Sequence, residues 1–439
     1  MNDQTIGTEK KSKRLRWQVA IVLTIATALN YLDRMTLPVV ISHLQEKFNI
    51  TEAQFGLLNS LFLLAYAIMY AGGGRLADKL GTRLGYAVMM TWWSIACAAQ
   101  GLVNGFKGLA FFRFNLGIGE GGSFPTSAKT VSEWFPAKER SIAFGMFNTG
   151  SAIGSVIAPP LLALIVVLLS WRWVFIISGA FGIFWVIYWL SFYHLPSKHP
   201  RISKEERELI IRSQEEERKE DVGRQTQKVK WIKLFKYKEV WCLIIAKFLT
   251  DPVWFFYIFW LPKYLFDTRG FDIKQIGYYA WIPYAAAGIG SMFGGWFSSY
   301  LLKKGWSLNA SRKLALGMAA ALMPAAAFVV PAPTGMAIVF ISLAFMGHQF
   351  WSVIIQTLPA DLYPQGTVGS VAGLIGASGS FGAMLFALIV GYILGTYASY
   401  VPVFITVSML HPISFLLIMI MIPRISARRI SEDGNKSLI

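Results

Sequence analysis

The sequence predicts an all-α polytopic membrane protein of twelve transmembrane helices in two pseudo-symmetric bundles of six. Three observations predict it. The 439 residues are 55% hydrophobic and only 15% charged, against about 25% charged in a soluble globular chain. Apolar stretches recur twelve times with one long polar break, and crossing a bilayer takes roughly 20 such residues. The basic residues are divided unevenly between the two sides. Of 41 Lys and Arg, 31 fall in segments on one side and 6 on the other, with Arg34, Arg113, Lys129 and Lys247 inside the stretches. The basic-rich side is expected to be cytoplasmic, and an even number of spans puts both termini there.

The tail 1–16 is polar and basic and leads straight into the first stretch. It lacks the short apolar core and small-residue cleavage site of a removable signal peptide, so the first helix is expected to remain in the mature protein. That stretch, near 17–40, carries Asp33 and Arg34. The second, near 55–76, ends on Gly72-Gly73-Gly74 before a basic loop. The third, near 84–104, contains Cys97, which like Cys242 reads as a small buried hydrophobe. Two such cysteines give no disulfide framework or metal cluster. The fourth, near 109–132, carries Arg113 and Glu120. The fifth, near 141–168, is interrupted by Gly145, Gly150 and Gly154, which membrane helices tolerate because neighbours satisfy the freed backbone groups. The sixth, near 171–193, completes an N-terminal bundle over 17–193.

The polar segment 194–238 places opposite charges three or four apart, as in Lys204 and Glu208 or Arg212 and Glu216. It is expected to be a solvated, partly helical linker on the cytoplasmic side. The second bundle then covers 239–423. Its first stretch, near 239–266, carries Lys247, Asp251 and Pro252. The next, near 275–301, ends on Gly294-Gly295 before Lys303 and Lys304, a faint echo of the first half. Stretches near 314–331, 336–360 with His348, 368–397 and 400–423 with His411 follow, and a tail occupies 424–439.

Charged groups at membrane depth are costly and tend to face a protein interior or a watery cavity. Here nearly all of them recur on every third stretch: Asp33 and Arg34, Arg113 and Glu120, Lys247 and Asp251, His348. One polar cavity between two repeated halves is the expected arrangement, as in a solute carrier. The net charge of +17 is not a nucleic-acid signature, because the basic residues sit asymmetrically in the loops. An enzyme is not expected either, for no metal cluster, nucleophile–base motif or phosphate loop is present.

After the second stretch the chain reads GRLADKLGTR, Gly74 to Arg83. This resembles the signature loop of the major facilitator superfamily, matching at Gly74, Asp78, Lys79, Gly81 and Arg83, with Thr82 where a basic residue is usual. The resemblance implies the major facilitator fold and a cytoplasmic charge latch at those five residues. The second-half copy has Ser298 and Ser299 where an acid might stand, so a weaker latch is expected there. NYLDR (Asn30 to Arg34) and RFNLGIGEGGSFP (Arg113 to Pro125) resemble the anion:cation symporter family within that superfamily. SEWFPAKERSIAFGMFNTGSAIGSVIAPP, FLTDPVWFFYIFWLPKYL and the Gly347-His348-Gln349 triplet look like bacterial hexuronate transporters and extend the likeness over essentially the whole chain.

The residues themselves suggest roles. Arg34 is permanently charged and its planar fork matches a carboxylate; neutralising Asp33 is the structural alternative. Glu120 lies between Gly119 and Gly121-Gly122, where close helix approach excludes water, so it is a candidate to bind and release a proton. Arg113, two turns earlier, is too far along the helix to pair with it in place and is expected to reach Asp33 or Glu120 from case to case. In relatives with this pattern Asp33 and Glu120 would be the proton-coupling acids with Arg113 between them, and Arg34, with Tyr31 beside it, would contact the substrate carboxylate. Lys247 and Asp251, spaced i, i+4, read as a satisfied pair, and Pro252 as a kink or stop. Trp254, Tyr257 and Trp260 are candidates to line a sugar path, and His348 with Gln349 to meet hydroxyls. Alignment to galactonate-type carriers adds Tyr66, Ser151 and Ser380, with Asn148 as an alternative to Ser151. His411 has no polar neighbour in sequence and is given no role.

The reading is a proton-coupled symporter that imports a sugar acid, a hexuronate or aldonate, by alternating access. It is expected to be a monomer in the bacterial inner membrane, in contact with lipid, with no cofactor beyond the coupling protons and no metal. Its rivals are a carrier of another organic anion, such as a dicarboxylate or an aromatic acid, and a transporter-like sugar-acid sensor.

Overall fold

A computed structural model describes residues 15–223, 234–363 and 365–426. The expected tails 1–16 and 424–439 fall largely outside the described residues, as does part of the linker. The described residues are helical and contain no strand. The N-terminal half comprises α1 (Leu15–Phe48), α2 (Glu52–Gln100), α3 (Phe106–Gly121), α4 (Ser123–Trp134), α5 (Ala137–Leu168) and α6 (Trp171–Phe192). The linker helix α7 (Lys204–Gly223) follows. The C-terminal half comprises α8 (Lys238–Arg269), α9 (Ile273–Tyr279), α10 (Trp281–Lys303), α11 (Leu308–Leu322) with a 3-10 turn (Met323–Phe328), α12 (Thr334–Leu362), α13 (Gln365–Tyr397) and α14 (Val401–Met421).

Twelve passes emerge from these elements. Eight described helical segments are long and apolar enough on their own to cross a membrane. The other four are interrupted or diluted. α2 makes two passes, turning at Gly81, whose φ of 74° lies in the left-handed region that glycine adopts without Cβ strain. The fourth pass is split into α3 and α4 at Gly122. The eighth pass is interrupted at Ala280, between α9 and α10, and the ninth changes from α11 to a 3-10 turn at Met323. Pro252 neither ends nor interrupts α8, which runs through it and through Pro262.

The bundle has a tail end, where α1 and α8 begin, and a far end, where they finish. At the far end the halves are closed onto each other. Lys263 on α8 pairs with Glu52 at the start of α2 at 2.9 Å and with Asp267 at 2.6 Å. Phe55 packs on Trp260 (4.6 Å between centroids) and Phe62 on Phe259 (5.9 Å). Gly56 of α2 lies against the backbone of α13, where an added Cβ would come within 2.6 Å of the Ala387 carbonyl oxygen. One apolar core therefore runs from the N-terminal half into the far-end part of the C-terminal half. A separate core, including Leu243, Leu316, Trp351 and Ile355, fills the tail-end part of the C-terminal half.

α7 docks on the N-terminal half. Glu206 accepts from the backbone N–H groups of Leu15 (3.0 Å) and Arg16 (3.2 Å) and from the Arg16 guanidinium (2.8 Å). Gln214 donates to the Glu133 carbonyl oxygen at 2.8 Å.

Candidate functional site

A cavity of about 360 Å³ lies between the halves and extends from mid-bundle towards the tail end. Helical periodicity decides what lines it. α1 contributes Thr27, Asn30, Tyr31 and Arg34, the i, i+3, i+4, i+7 set of a single helix face. α8 contributes Lys247, Asp251, Trp254 and Phe255; α12 contributes His348, Gln349, Ser352 and Gln356; α13 contributes Ala372, Ile375, Gly376 and Ser380. Tyr66, Tyr70, Ser123, Asn148 and Ser151 complete the wall together with Phe124 and Phe144.

The α1 face that presents Arg34 turns Asp33 away. Asp33 is buried behind α1, where its carboxylate accepts from Trp93 Nε1 at 3.1 Å and from Cys97 Sγ at 3.5 Å. Arg34 Nε donates to Glu120 Oε2 at 2.6 Å. Its guanidinium lies 4.7 Å from the ring centres of both Tyr31 and Tyr66, a cation–π clamp that fixes the plane of the fork. The alternative in which Arg34 neutralises Asp33 is thus not what this structure contains; its acid is Glu120. Arg113 donates from Nη2 to the Arg34 carbonyl oxygen at 3.2 Å and packs over Phe62 (4.8 Å) and Phe259 (5.5 Å). Arg113 Nε and Nη1 and Glu120 Oε1 are buried without a hydrogen bond. Such atoms are rare in folded proteins and call for a reason.

Glycines make this burial possible. A Cβ at Gly119 would sit 2.5 Å from Trp93 Cβ, and one at Gly121 would sit 2.4 Å from the Tyr66 carbonyl oxygen. α3 is therefore clasped between the two arms of α2, and Glu120 between those glycines is fully buried.

In the C-terminal half Lys247 pairs with Asp251 at 2.7 Å, as the spacing predicts. Trp254 stacks on His348, with centroids 5.6 Å apart and planes 9° apart. Tyr257 departs from the expectation. It lies one turn nearer the closed far end, packed face to face on Phe345 at 4.3 Å and 1% exposed, and does not line the cavity. Trp260 is likewise in the far-end packing against Phe55. Tyr70, Asn30, Ser123, Ser352 and Gln356 line the cavity without having been singled out in the sequence. Ser352 and Gln356 had a usable signal, since they follow His348 at steps of four.

The loop residues are placed as follows. Asp78 pairs with Lys129 of α4 at 2.6 Å, and Lys129 also donates to the Ala77 carbonyl oxygen. Arg83 donates to the Leu190 carbonyl oxygen. Gly74 lies beside Pro125, Lys79 is exposed, and Gly81 makes the turn. Thr82 is buried and donates to Glu133 at 2.6 Å. In the second half an acid comes from elsewhere: Arg312 donates to Ser298 at 2.8 Å and pairs with Asp361 of α12 at 2.7 Å.

Residues 23–387 match the family model of the Major Facilitator Superfamily. The chain is 33% identical to the hexuronate transporter of Escherichia coli K12 over 431 residues, covering 97% of this chain and 98% of the relative. It is 36% identical to the galacturonate transporter of Dickeya chrysanthemi over 315 residues, covering 71% and 90%. Among solved structures, the inward-open xylose transporter XylE of E. coli superposes with a TM-score of 0.71 at 14% identity over 93% of this chain and 96% of that one, a likeness of fold.

Proposed function

This chain belongs to the Major Facilitator Superfamily, and from that premise we propose that it is a proton-coupled symporter importing a sugar acid, a hexuronate or an aldonate, by alternating access. It is a transporter rather than an enzyme. The observation that carries the reading is Arg34: a cation on the cavity wall, held flat by two tyrosines and paired to a buried glutamate. An organic anion at the bilayer midplane needs such a counter-charge, and the hydroxyl- and amide-bearing wall suits a polyhydroxylated one better than an aromatic acid. The names of the relatives support the same substrate class.

In this scheme a substrate carboxylate and the Glu120 carboxylate compete for Arg34. With Glu120 protonated, Arg34 is released to hold the substrate. Asp33, behind α1 on neutral donors, is the second protonatable group. Arg113, with Nε and Nη1 buried and unbonded, is the cation that receives whichever acid is ionised. With the tail end cytoplasmic, as the basic residues indicate, the cavity faces inward, and loss of the proton there restores the Arg34–Glu120 pair and expels the substrate. The protein works as a monomer in the inner membrane, with protons as the coupling ion.

The test is uptake of labelled glucuronate, galacturonate and galactonate into proteoliposomes with and without an imposed inward proton gradient. Gradient-driven accumulation of one of them is the expected result. Binding without accumulation would mean an exchanger or a sensor, and the absence of any response would overturn the substrate class.

A further inference from the structure

His348 and His411 face one another across α12 and α14. His348 Nδ1 lies 3.1 Å from His411 Nε2, with the rings 5.2 Å apart and inclined at 81°. Trp254 covers one face of His348, and Trp351 meets the His411 ring at 5.4 Å. His348 is on the cavity wall and His411 is wholly buried behind it. The Nδ1 atom of His411 is buried and makes no hydrogen bond.

A hydrogen bond between two ring nitrogens holds a single hydrogen, so there are two arrangements. If His348 Nδ1 donates, His411 Nε2 is the acceptor and His411 must carry its own hydrogen on Nδ1. That leaves a buried N–H with no acceptor, the rarest kind of orphan. If His411 Nε2 donates, His411 Nδ1 is a bare lone pair, which burial tolerates better. The second arrangement leaves Nδ1 of His348 as acceptor and so puts its hydrogen on Nε2, the ring nitrogen left for the cavity.

We propose that His411 is a positioning residue that locks His348 as its Nε2–H tautomer, so that His348 donates a hydrogen bond to a hydroxyl oxygen of the transported anion. The inference rests on the sugar-acid reading above. Arg34 and His348 stand on opposite halves, linked by a run of ring contacts: Arg34 to Tyr31 at 4.7 Å, Tyr31 to Trp254 at 6.4 Å, Trp254 to His348 at 5.6 Å. A substrate whose carboxylate is on Arg34 thus offers its hydroxyl-bearing part to an imidazole of fixed polarity, and the donor discriminates against analogues lacking that oxygen. Such polar mismatches are discriminated far more strongly than a lost methylene.

Two readouts test this on the full chain in liposomes. The first is the pair of ring-nitrogen shifts of His348 in protein labelled with 15N-histidine, assigned by their loss in His348→Gln. Wild type is expected to show a protonated Nε2 and a bare Nδ1. His411→Leu should give a tautomer mixture, and His411→Gln, whose amide nitrogen can donate to the same Nδ1, should restore the single form. A hydrogen on Nδ1 of His348 in wild type overturns the proposal. The second is binding of glucuronate and its single-deoxy analogues. His411→Leu should weaken the parent about tenfold while leaving at least one deoxy analogue unchanged, and His411→Gln should recover the parent. Equal losses for every ligand would mean that His411 only supports the fold, and the proposal fails. If wild type binds none of the sugar acids, the substrate reading falls, and the nitrogen shifts alone decide whether His411 sets the tautomer.

Discussion

The guanidinium of Arg34 is 2.6 Å from the Glu120 carboxylate while its chain neighbour Asp33 faces Trp93 and Cys97 on the other side of α1. Two adjacent residues thus serve two different surroundings: one looks into the cavity, the other into the N-terminal half. The pairing also means that the cation best suited to a substrate is already engaged when the cavity is open to the tail end.

Replacing Glu120 by Gln keeps a hydrogen-bond acceptor for Arg34 and removes the titrating group. Gradient-driven uptake is expected to fall to passive equilibration while counterflow exchange persists. Parallel proteoliposome assays check it, and loss of binding together with uptake would count against the coupling role.

Arg34→Lys preserves charge but not the fork. Hydrogen bonds to charged groups contribute about 1.5–3 kcal/mol, so substrate affinity should fall roughly tenfold or more. Arg34→Ala should be worse and should also lower stability, because removing one partner of a buried pair typically costs about 3–5 kcal/mol. Calorimetric titration and thermal unfolding in detergent separate the two effects.

Closure at the far end depends on bare backbone at Gly56. In Gly56→Ala the new methyl meets the Ala387 carbonyl oxygen and the α-carbon of Gly391, 2.6 and 3.0 Å away. The balance should move towards a state open at the far end. Labelling of Gln356→Cys from the tail end should then slow several-fold, against a low background, since Cys97 and Cys242 are both buried.

The linker should loosen in acid. His199 is buried against the Phe192 carbonyl oxygen and the Trp134 ring. Burial holds its imidazole below the ordinary value; the hydrogen bond to the Phe192 carbonyl oxygen opposes this, and His194, Arg201 and Arg207 push with burial. The docked ring therefore stays neutral where a released one, with an ordinary value of about 6.5, takes a proton. Docking is at full strength above that range and weakens as pH falls through it. Hydrogen exchange over residues 195–210, corrected for intrinsic rate, should show protection falling at about pH 5.5 relative to about pH 7.5, and His199→Phe should abolish the difference.

Much of this was legible in the chain because hydrocarbon makes charge conspicuous. Asp33, Arg34, Arg113, Glu120 and the Lys247–Asp251 pair stand out against apolar neighbours, and the spacing of Lys247 and Asp251 alone gave their contact. What the sequence hides is partnership across helices. Nothing within α14 announces that His411 lies 3.1 Å from His348. Which side of α1 holds Asp33 follows only once the cavity face is known. Tyr257 departs from the sequence expectation for a related reason: periodicity sets direction around a helix, whereas depth along it puts Tyr257 in the closed end. Asp361, supplying the acid beside Ser298, sits on a helix some sixty residues away in sequence.

Six of the charged side chains on α1, α3 and α8 lie at membrane depth — Asp33, Arg34, Arg113, Glu120, Lys247, Asp251 — and they are three of each sign, so with all six ionised that part of the empty carrier is electrically neutral. Membrane voltage, worth about 2.3 kcal/mol per charge per 100 mV, then has no grip on the return of the unloaded protein. A monovalent anion entering with one proton leaves that sum at zero, and with two protons raises it to one positive charge. In the proposed proton-coupled cycle, current across a supported membrane counts the protons: none flows with the first ratio, and one charge moves inward per cycle with the second.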